Sequence, residues 1–371
     1  MILSTPDGAR RIGTEEMRKL IIPIFVVYKG CPNRCVFCNE RITAGTHPDR
    51  ITETHFRDTV DTYLKRSGKG AGGIQIAFYG GNFTGIDGDY QEELLSYARS
   101  YIREGTVGSV RVSTRPDYID EEVVDRLRQY DVTTVELGAQ SFIDEVLDRS
   151  RRGHSARDVV DAVMLLKDQG FETGLHLMAG LPGDTKERFY YTVDETVRLK
   201  PDTVRIHPTV IFKETALADS YRQGTYHPLS MEKAVALSKY ALVRFTQADI
   251  RVIRIGLQMT AEMEEAGTIV AGPHHPAFRS LVDGSLFFDM AAGLLKGTHP
   301  GNHGVTFIAS PHDVNSVRGL NNRNIHELTA RFHLEEITVK ADPDQQRNSL
   351  VLEAGAKRLT TGIECLYPAN Q

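Results

Sequence analysis

Residues 21–40 read IIPIFVVYKGCPNRCVFCNE. An Ile- and Val-rich run, the composition of a buried strand, passes directly into a loop holding three of the chain's four cysteines: Cys31, Cys35 and Cys38. Gly30 and Pro32 mark that segment as a loop, because both interrupt regular structure. The fourth, Cys365, has no second cysteine near it and reads as incidental. A zinc site usually pairs two half-sites. Here one triplet stands alone, and His47, the only nearby imidazole, reads as a surface residue. A catalytic thiol would not need three neighbouring thiolates. Three soft ligands on one short loop suit an iron–sulfur cluster. Three thiolates on a [4Fe–4S] cube leave one iron open, and an open metal position implies that something exchangeable binds there.

Beyond the loop, the chain alternates strand-like and helix-like runs. The strand-like ones are 21–28, 73–79 (GIQIAFY), 109–114 (SVRVST), 133–139 (TTVELGA), 172–178 (ETGLHLM) and 203–209 (TVRIHPT). Several look almost continuously apolar, as strands buried on both faces do. Between them, EEVVDRLRQY and ARDVVDAVMLLKDQG carry apolar residues at helical spacing, and Gly170 stands where a C-cap glycine is expected. The alternation predicts an α/β fold with a parallel sheet and crossover helices. About six such units suit an incomplete parallel (β/α)6 barrel. The strands run into the cysteine loop, YGGNFTG, STRPDY, GAQS, AGLPGD and HPT. Gly, Ser, Asn, Arg and Asp thus collect at the carboxyl ends, where barrels build their active sites.

The 371 residues suit two or three domains, or one large α/β domain with an extension. A composition of 40% hydrophobic and 25% charged residues excludes wholesale disorder and coiled coil. The net charge of −5 argues against general non-specific nucleic-acid binding. No apolar run reaches the ~18 residues needed to span a membrane. The first residues lack a signal-peptide core and carry Glu15 and Glu16, so a soluble cytoplasmic protein is expected.

Taken together, GCPNRCVFCNE, STRPDY, VELGAQS, RRGHS, HLMAGLPGDT and RIHPTVIFKETALADSYRQGTY resemble the radical S-adenosylmethionine (radical SAM) half of the Elongator catalytic subunit family over roughly residues 20–260. The cysteine spacing alone is similar to the whole superfamily; the later motifs narrow it. The resemblance implies that Cys31, Cys35 and Cys38 ligate a [4Fe–4S] cluster whose open iron chelates S-adenosylmethionine. It implies Phe37 against the adenine and Gly80 and Gly81 close to the methionine amino group. Asn82 stands where many superfamily members have an acid, and Ser113 where the Elongator proteins usually have Glu. Gln140 and Ser141 become candidate cofactor contacts. Arg152 is the expected partner of the methionine carboxylate, with Arg115 as competitor, because guanidinium grips carboxylate in a fork. The implied chemistry is one-electron cleavage of the sulfonium, fed by an external one-electron reductant, followed by hydrogen abstraction from substrate; no protein acid–base pair is required to start it.

Elongator catalytic subunits also carry an acetyltransferase-like domain, whose pyrophosphate loop is Gly-rich. No such loop is read after residue 260, and SGKGAGG (67–73) reads as a flexible connection. The organisation expected is an N-terminal extension (1–20), a radical SAM partial barrel (21–260) and a small C-terminal α/β extension (261–371). Within the last, strand, short helix, the loop Gly319-Leu320-Asn321-Asn322, helix and two strands follow a KH-like order lacking the second glycine of the KH loop. His274 and His275, between Pro273 and Pro276, read as an ordered loop. By analogy with Elongator the substrate expected is RNA, in particular tRNA. Arg10, Arg11, Arg18, Lys19, Lys29 and Arg34 are the cations that would concentrate charge for it. One alternative is radical chemistry on a small metabolite, as in the coproporphyrinogen oxidase branch. Another is a non-catalytic iron–sulfur protein that binds RNA or senses redox state.

Overall fold

The computed structural model describes residues 20–45, 47–66, 73–298 and 303–367. The chain opens with β1 (Leu20–Lys29), α1 (Glu40–Ala44) and α2 (Glu53–Arg66). It then alternates through β2 (Ile74–Gly81), α3 (Gly88–Arg103), β3 (Ser109–Thr114), α4 (Glu121–Gln129), β4 (Val132–Gln140), α5 (Asp144–Arg149), α6 (Ala156–Asp168), β5 (Glu172–Ala179), α7 (Lys186–Leu199) and β6 (Thr203–Pro208). After β7 (Ile211–Phe212), α8 (Ala216–Arg222) and α9 (Met231–Gln247), β8 (Arg251–Ile255) joins the same sheet. Side-chain caps set where the crossover helices begin. Asp87, Asp120, Ser155 and Thr185 each accept from the backbone N–H three residues on, satisfying a donor the helix leaves unpaired.

The sheet order is β1-β2-β3-β4-β5-β6-β8, parallel throughout. The seventh strand is absent from the sequence reading, because RVIRI is a short, half-exposed edge strand carrying two arginines in five residues. The sheet must curl. Arg205 Nη2 on β6 donates to Tyr79 OH on β2 at 3.0 Å, yet on a flat sheet at ~4.8 Å per strand the two backbones would lie about 19 Å apart. With β1 and β8 unpaired to each other, the result is an open half-barrel.

Its two faces differ. Ile24, Phe78, Val112, Leu137, Leu175 and Ile206 belong to the apolar core against the helices, none more than 3% exposed. Each such side chain contributes about 1.5–3 kcal/mol on burial. The alternate positions, pointing into the half-barrel, are Gln75, Tyr79, Arg111, Ser113, Thr134, Glu136, His176, Arg205 and His207. The expectation of strands apolar on both faces is therefore corrected. The lumen of an open barrel is not sealed by a second layer, so polar groups there keep water or each other as partners.

Residues beyond β8 form α10 (Ala261–Glu264), β9 (Ile269–Ala271) and α11 (Phe278–Thr298), then β10 (Val305–Ala309), α12 (Val314–Arg318), α13 (Arg323–Phe332), β11 (Ile337–Ala341), β12 (Ser349–Ala354) and β13 (Lys357–Gly362). The last four strands make a separate sheet of order β11-β10-β12-β13, with β10 and β11 parallel and the others antiparallel. Helix α11 packs against α9 on one side and β12 and β13 on the other, docking this unit on the barrel. Asn324 pins it, donating to the carbonyls of Gly284, Ser316 and Val317 at 2.8, 3.1 and 3.2 Å. In the loop between α12 and α13, Asn321 and Asn322 hold φ of 53° and 58°, a conformation asparagine tolerates better than most residues.

Candidate functional site

The cysteine loop leaves β1 at the barrel's carboxyl rim and is clasped by distant segments. Val36 N donates to Ser150 O at 3.1 Å, and Leu217 N donates to Val36 O at 2.8 Å. Asn39 Nδ2 donates to Lys213 O at 3.2 Å. Residues 211–212 and 269–271 pair as a small antiparallel ribbon (β7 with β9) that shares the loop's apolar packing. Phe37 is half-buried in that packing with Val36, Ile211 and Leu217.

Of the three thiols, Cys35 is buried, while Cys31 and Cys38 keep exposed surface. They sense one another electrostatically. Burial, then Glu40, pushes the Cys31 thiol up to about 11, and Cys38 is raised by the same causes. Among the described residues no three His, Cys, Asp or Glu side chains converge on one point closely enough to hold a single ion.

Arg152, 7% exposed, reaches the loop. Its Nη1 donates to Cys35 Sγ at 3.4 Å and its Nη2 to Gly138 O at 2.7 Å, while its buried Nε has no hydrogen-bond partner among the described residues. Room for the guanidinium exists because residue 138 is glycine: a Cβ there would lie 2.6 Å from Nη2. Arg115, 1% exposed, is already gripped in a fork by Asp117 at 2.9 and 2.7 Å, and its buried Nη1 has no hydrogen-bond partner among the described residues. Gly80 and Gly81 end β2 at φ of 88° and 115°. Two successive left-handed residues turn the backbone under the cysteine loop, which side-chain-bearing residues rarely permit. Gln140 ends β4 at φ 67°, an uncommon conformation for glutamine and of the kind that clusters at functional sites.

Two expected cofactor contacts are spent elsewhere. Asn82 donates to Gly30 O at 2.7 Å, and its Oδ1 accepts from Thr114 Oγ1 at 2.5 Å and Arg115 N at 3.1 Å. It braces the cysteine loop against the end of β3. Ser141 Oγ accepts from Ile143 N at 3.1 Å and lies 3.3 Å from Thr192 Oγ1, in the packing of α5 and α7. Ser113 stays on the inner face, in register with Glu136. His47 stacks on Phe25 at 4.9 Å, and its ring nitrogen pairs with Ala44 O at 2.6 Å. His275 Nδ1 accepts from Ala277 N ahead of α11, in keeping with an ordered loop. Of the expected RNA-facing cations, Lys29 and Arg34 are exposed at the cysteine loop; Arg10, Arg11, Arg18 and Lys19 lie outside the described residues.

One layer beneath the rim lies a cluster that the sequence reading missed. Glu136, fully buried, accepts from Arg111 Nη1, from Arg205 Nη2 at 2.9 Å and Nε at 3.2 Å, and from His176 Nε2 at 3.1 Å. Arg111 Nε also donates to Gln75 Oε1 at 2.7 Å. Burial alone would raise the Glu136 carboxyl, but its hydrogen-bond donors outweigh that and hold it well below the usual range. The His176 hydrogen bond, then Arg205 and Arg111, lower Glu136, while burial lowers His176 itself against the opposing pull of Glu136. The signal available in the sequence was the period of two: Arg111, Glu136, His176, Arg205 and His207 each occupy an inward position of a strand.

A family model described as the radical SAM superfamily matches residues 25–196, and one described as a radical SAM C-terminal domain matches 201–287. The tRNA uridine(34) acetyltransferase of Methanocaldococcus jannaschii is 27% identical over 285 residues, covering 62% of this chain and 52% of the relative. The human Elongator complex protein 3 is 26% identical over 194 residues, covering 47% and 36%. The chain spans about half the length, or less, of these curated relatives. A solved structure of the archaeal Methanocaldococcus infernus Elp3, lacking residues 1–46, superposes with a TM-score of 0.57 at 23% identity, over 74% of this chain and 63% of that one, which shows a shared fold.

Proposed function

The chain belongs to the radical SAM superfamily, and we propose that it reductively cleaves S-adenosylmethionine at a [4Fe–4S] cluster to modify RNA, in particular tRNA. The observation that carries the reading is the rim: three thiols on one clasped loop, with the buried Arg152 donating to Cys35 Sγ. The donor set fits the group, being soft, mutually repelling when ionised, and edged by a permanent cation. Cys31, Cys35 and Cys38 would hold the cluster. The Gly80–Gly81 backbone and Gln140 would line the cofactor, with Arg152 in place for its carboxylate. When bound, cluster and cofactor supply one-electron cleavage and hydrogen abstraction, for which an external reductant is needed. The chain's own share is to keep Cys35 buried, to orient Arg152 through Gly138 O, and to exclude water and oxygen.

The tRNA part rests on the similarity to tRNA uridine(34) acetyltransferases. Lys29 and Arg34, exposed beside the cluster loop, would meet phosphates there. Anaerobic reconstitution, reduction and chromatography should yield 5′-deoxyadenosine. Filter binding should give tRNA affinity above that of an acidic control protein, with a log–log salt slope of roughly −0.7 to −0.9 per phosphate neutralised. Cleavage without RNA affinity would leave the small-metabolite reading, which the net charge of −5 favours.

A further inference from the structure

The cluster around Glu136 does not balance its charge. Arg111 and Arg205 bring two permanent cations and Glu136 one anion, and side chains on the same face, Gln75, Ser113 and Thr134, are neutral. Tyr79 OH accepts from Arg205 but stays a phenol, since burial and Glu136 raise its pKa. Glu172, lower on β5, is engaged by Thr134 and Arg251. A buried excess positive charge costs several kcal/mol unless an anion meets it. Two donor positions next to Glu136 are not used by it: the bonds of Arg205 run through Nε and Nη2, not Nη1, and His207 Nδ1 is buried with no hydrogen-bond partner among the described residues. His207 sits two residues nearer the rim than Arg205, in register with Met178, and its ring centre lies 5.9 Å from that of His176. Arg254 stands close enough to His207 to disfavour its protonation.

We infer that the floor of the half-barrel, formed by Arg205, His207 and His176 above Glu136, is an oxyanion subsite that takes a terminal carboxylate or phosphate monoester of the substrate or a co-substrate. The anion completes the charge balance of Arg111 and Arg205, accepts from Arg205 Nη1 and takes a proton-bearing His207 Nδ1 as a further donor. A polymer backbone phosphodiester, bridged on both sides, does not fit a layer beneath the rim; a compact terminal group does. This deepens the radical reading by naming the chemistry of what enters the lumen, and it needs no turnover to test.

The test uses the cluster-loaded protein under anaerobic conditions, with sodium acetate and inorganic phosphate as probes and sodium chloride as the ionic-strength control. Thermal unfolding and titration calorimetry are the readouts. At least one probe should raise the midpoint beyond chloride; acetate alone assigns the carboxylate, phosphate alone the monoester. Arg205→Gln should abolish the increment. Glu136→Gln, which keeps shape but removes the competing anion, should bind the same probe roughly tenfold tighter, as expected for one fewer repelling charge a few ångström away in a protein interior. If Arg205→Gln does not fold, His207→Phe, which leaves every Glu136 contact intact, should weaken the probe's effect instead. No increment beyond chloride in the wild type, an unchanged increment in these variants, or weaker binding in Glu136→Gln would overturn the inference. Cofactor cleavage with no anion response defeats this subsite alone; an anion response with no cleavage defeats the radical reading alone.

Discussion

At the rim of the half-barrel the backbone leaves strand geometry. Gly80, Gly81 and Gln140 all have positive φ, and the cysteine loop is held through carbonyls and amides contributed by α5, α8 and the segment after β7. One layer down, the strands stay regular and the side chains do the binding. Glu136 alone gathers donors from β3, β5 and β6. The rim is a surface of backbone and thiols. The floor is a cross-braced network whose members are mostly satisfied already. The difference separates two tasks: holding a large cofactor at the mouth, and fixing a small charged group beneath it.

Variants should separate the two layers by their readouts. The largest effect belongs to the rim. Cys35→Ala should eliminate the reconstituted cluster's iron and visible absorbance and reduce cofactor cleavage to background, while thermal unfolding of the cluster-free protein changes little. A full complement of iron in that variant would break the assignment. At the floor, Glu136→Ala should cost about 3–5 kcal/mol in chemical denaturation, as removing one partner of a buried ion pair does. A cost below about 1 kcal/mol, the range of exposed pairs, would mean the floor braces nothing.

The floor should also impose a pH dependence. Burial first, then His176 and the neighbouring arginines, pushes His207 down to about 3. Between that value and the ordinary ~6.5 of an unfolded histidine the unfolded chain binds the extra proton. Stability from this group is therefore complete above about pH 6.5 and declines on acidification, by at most about 1.4 kcal/mol per pH unit. Denaturation of wild type and His207→Phe at pH 7.5 and 5.5 should show a smaller loss in the variant; equal losses would remove His207 from the account. The smallest effect tests the joint between the layers. In Gly138→Ala the new methyl meets Arg152 Nη2, so cluster loading should persist while cofactor binding weakens roughly tenfold, about 1.4 kcal/mol, what one charge-assisted hydrogen bond contributes. Unchanged affinity by equilibrium dialysis would show that Arg152 does not reach the cofactor.

These two layers were unequally legible in the sequence. Rim residues announce themselves by type: a cysteine triplet on one short loop, and Gly80–Gly81 where the backbone takes positive φ. Six of the seven barrel strands were readable from their apolar runs, and so was the order of elements from β10 to β12; β13 (Lys357–Gly362), exposed along most of its length, was not. Strand β8 was not, since an exposed edge strand needs no apolar run. The floor was missed for a different reason. In TTVELGA and TVRIHPT the charged residues sit among β-branched neighbours, and only the direction of alternation tells that Glu136 and Arg205 face each other across a curled sheet. Their meeting, like the clasp of residues 211–212 with 269–271 around the cysteine loop, depends on contacts far apart in sequence.

If the rim holds a cluster with one iron open to S-adenosylmethionine, electron paramagnetic resonance of the reconstituted, reduced protein should give a [4Fe–4S]+ signal whose g-values change when S-adenosylmethionine is added, as direct ligation at one iron requires. A reduced cluster whose spectrum is indifferent to the cofactor, or a protein that takes up zinc and gives no cluster signal, would contradict it.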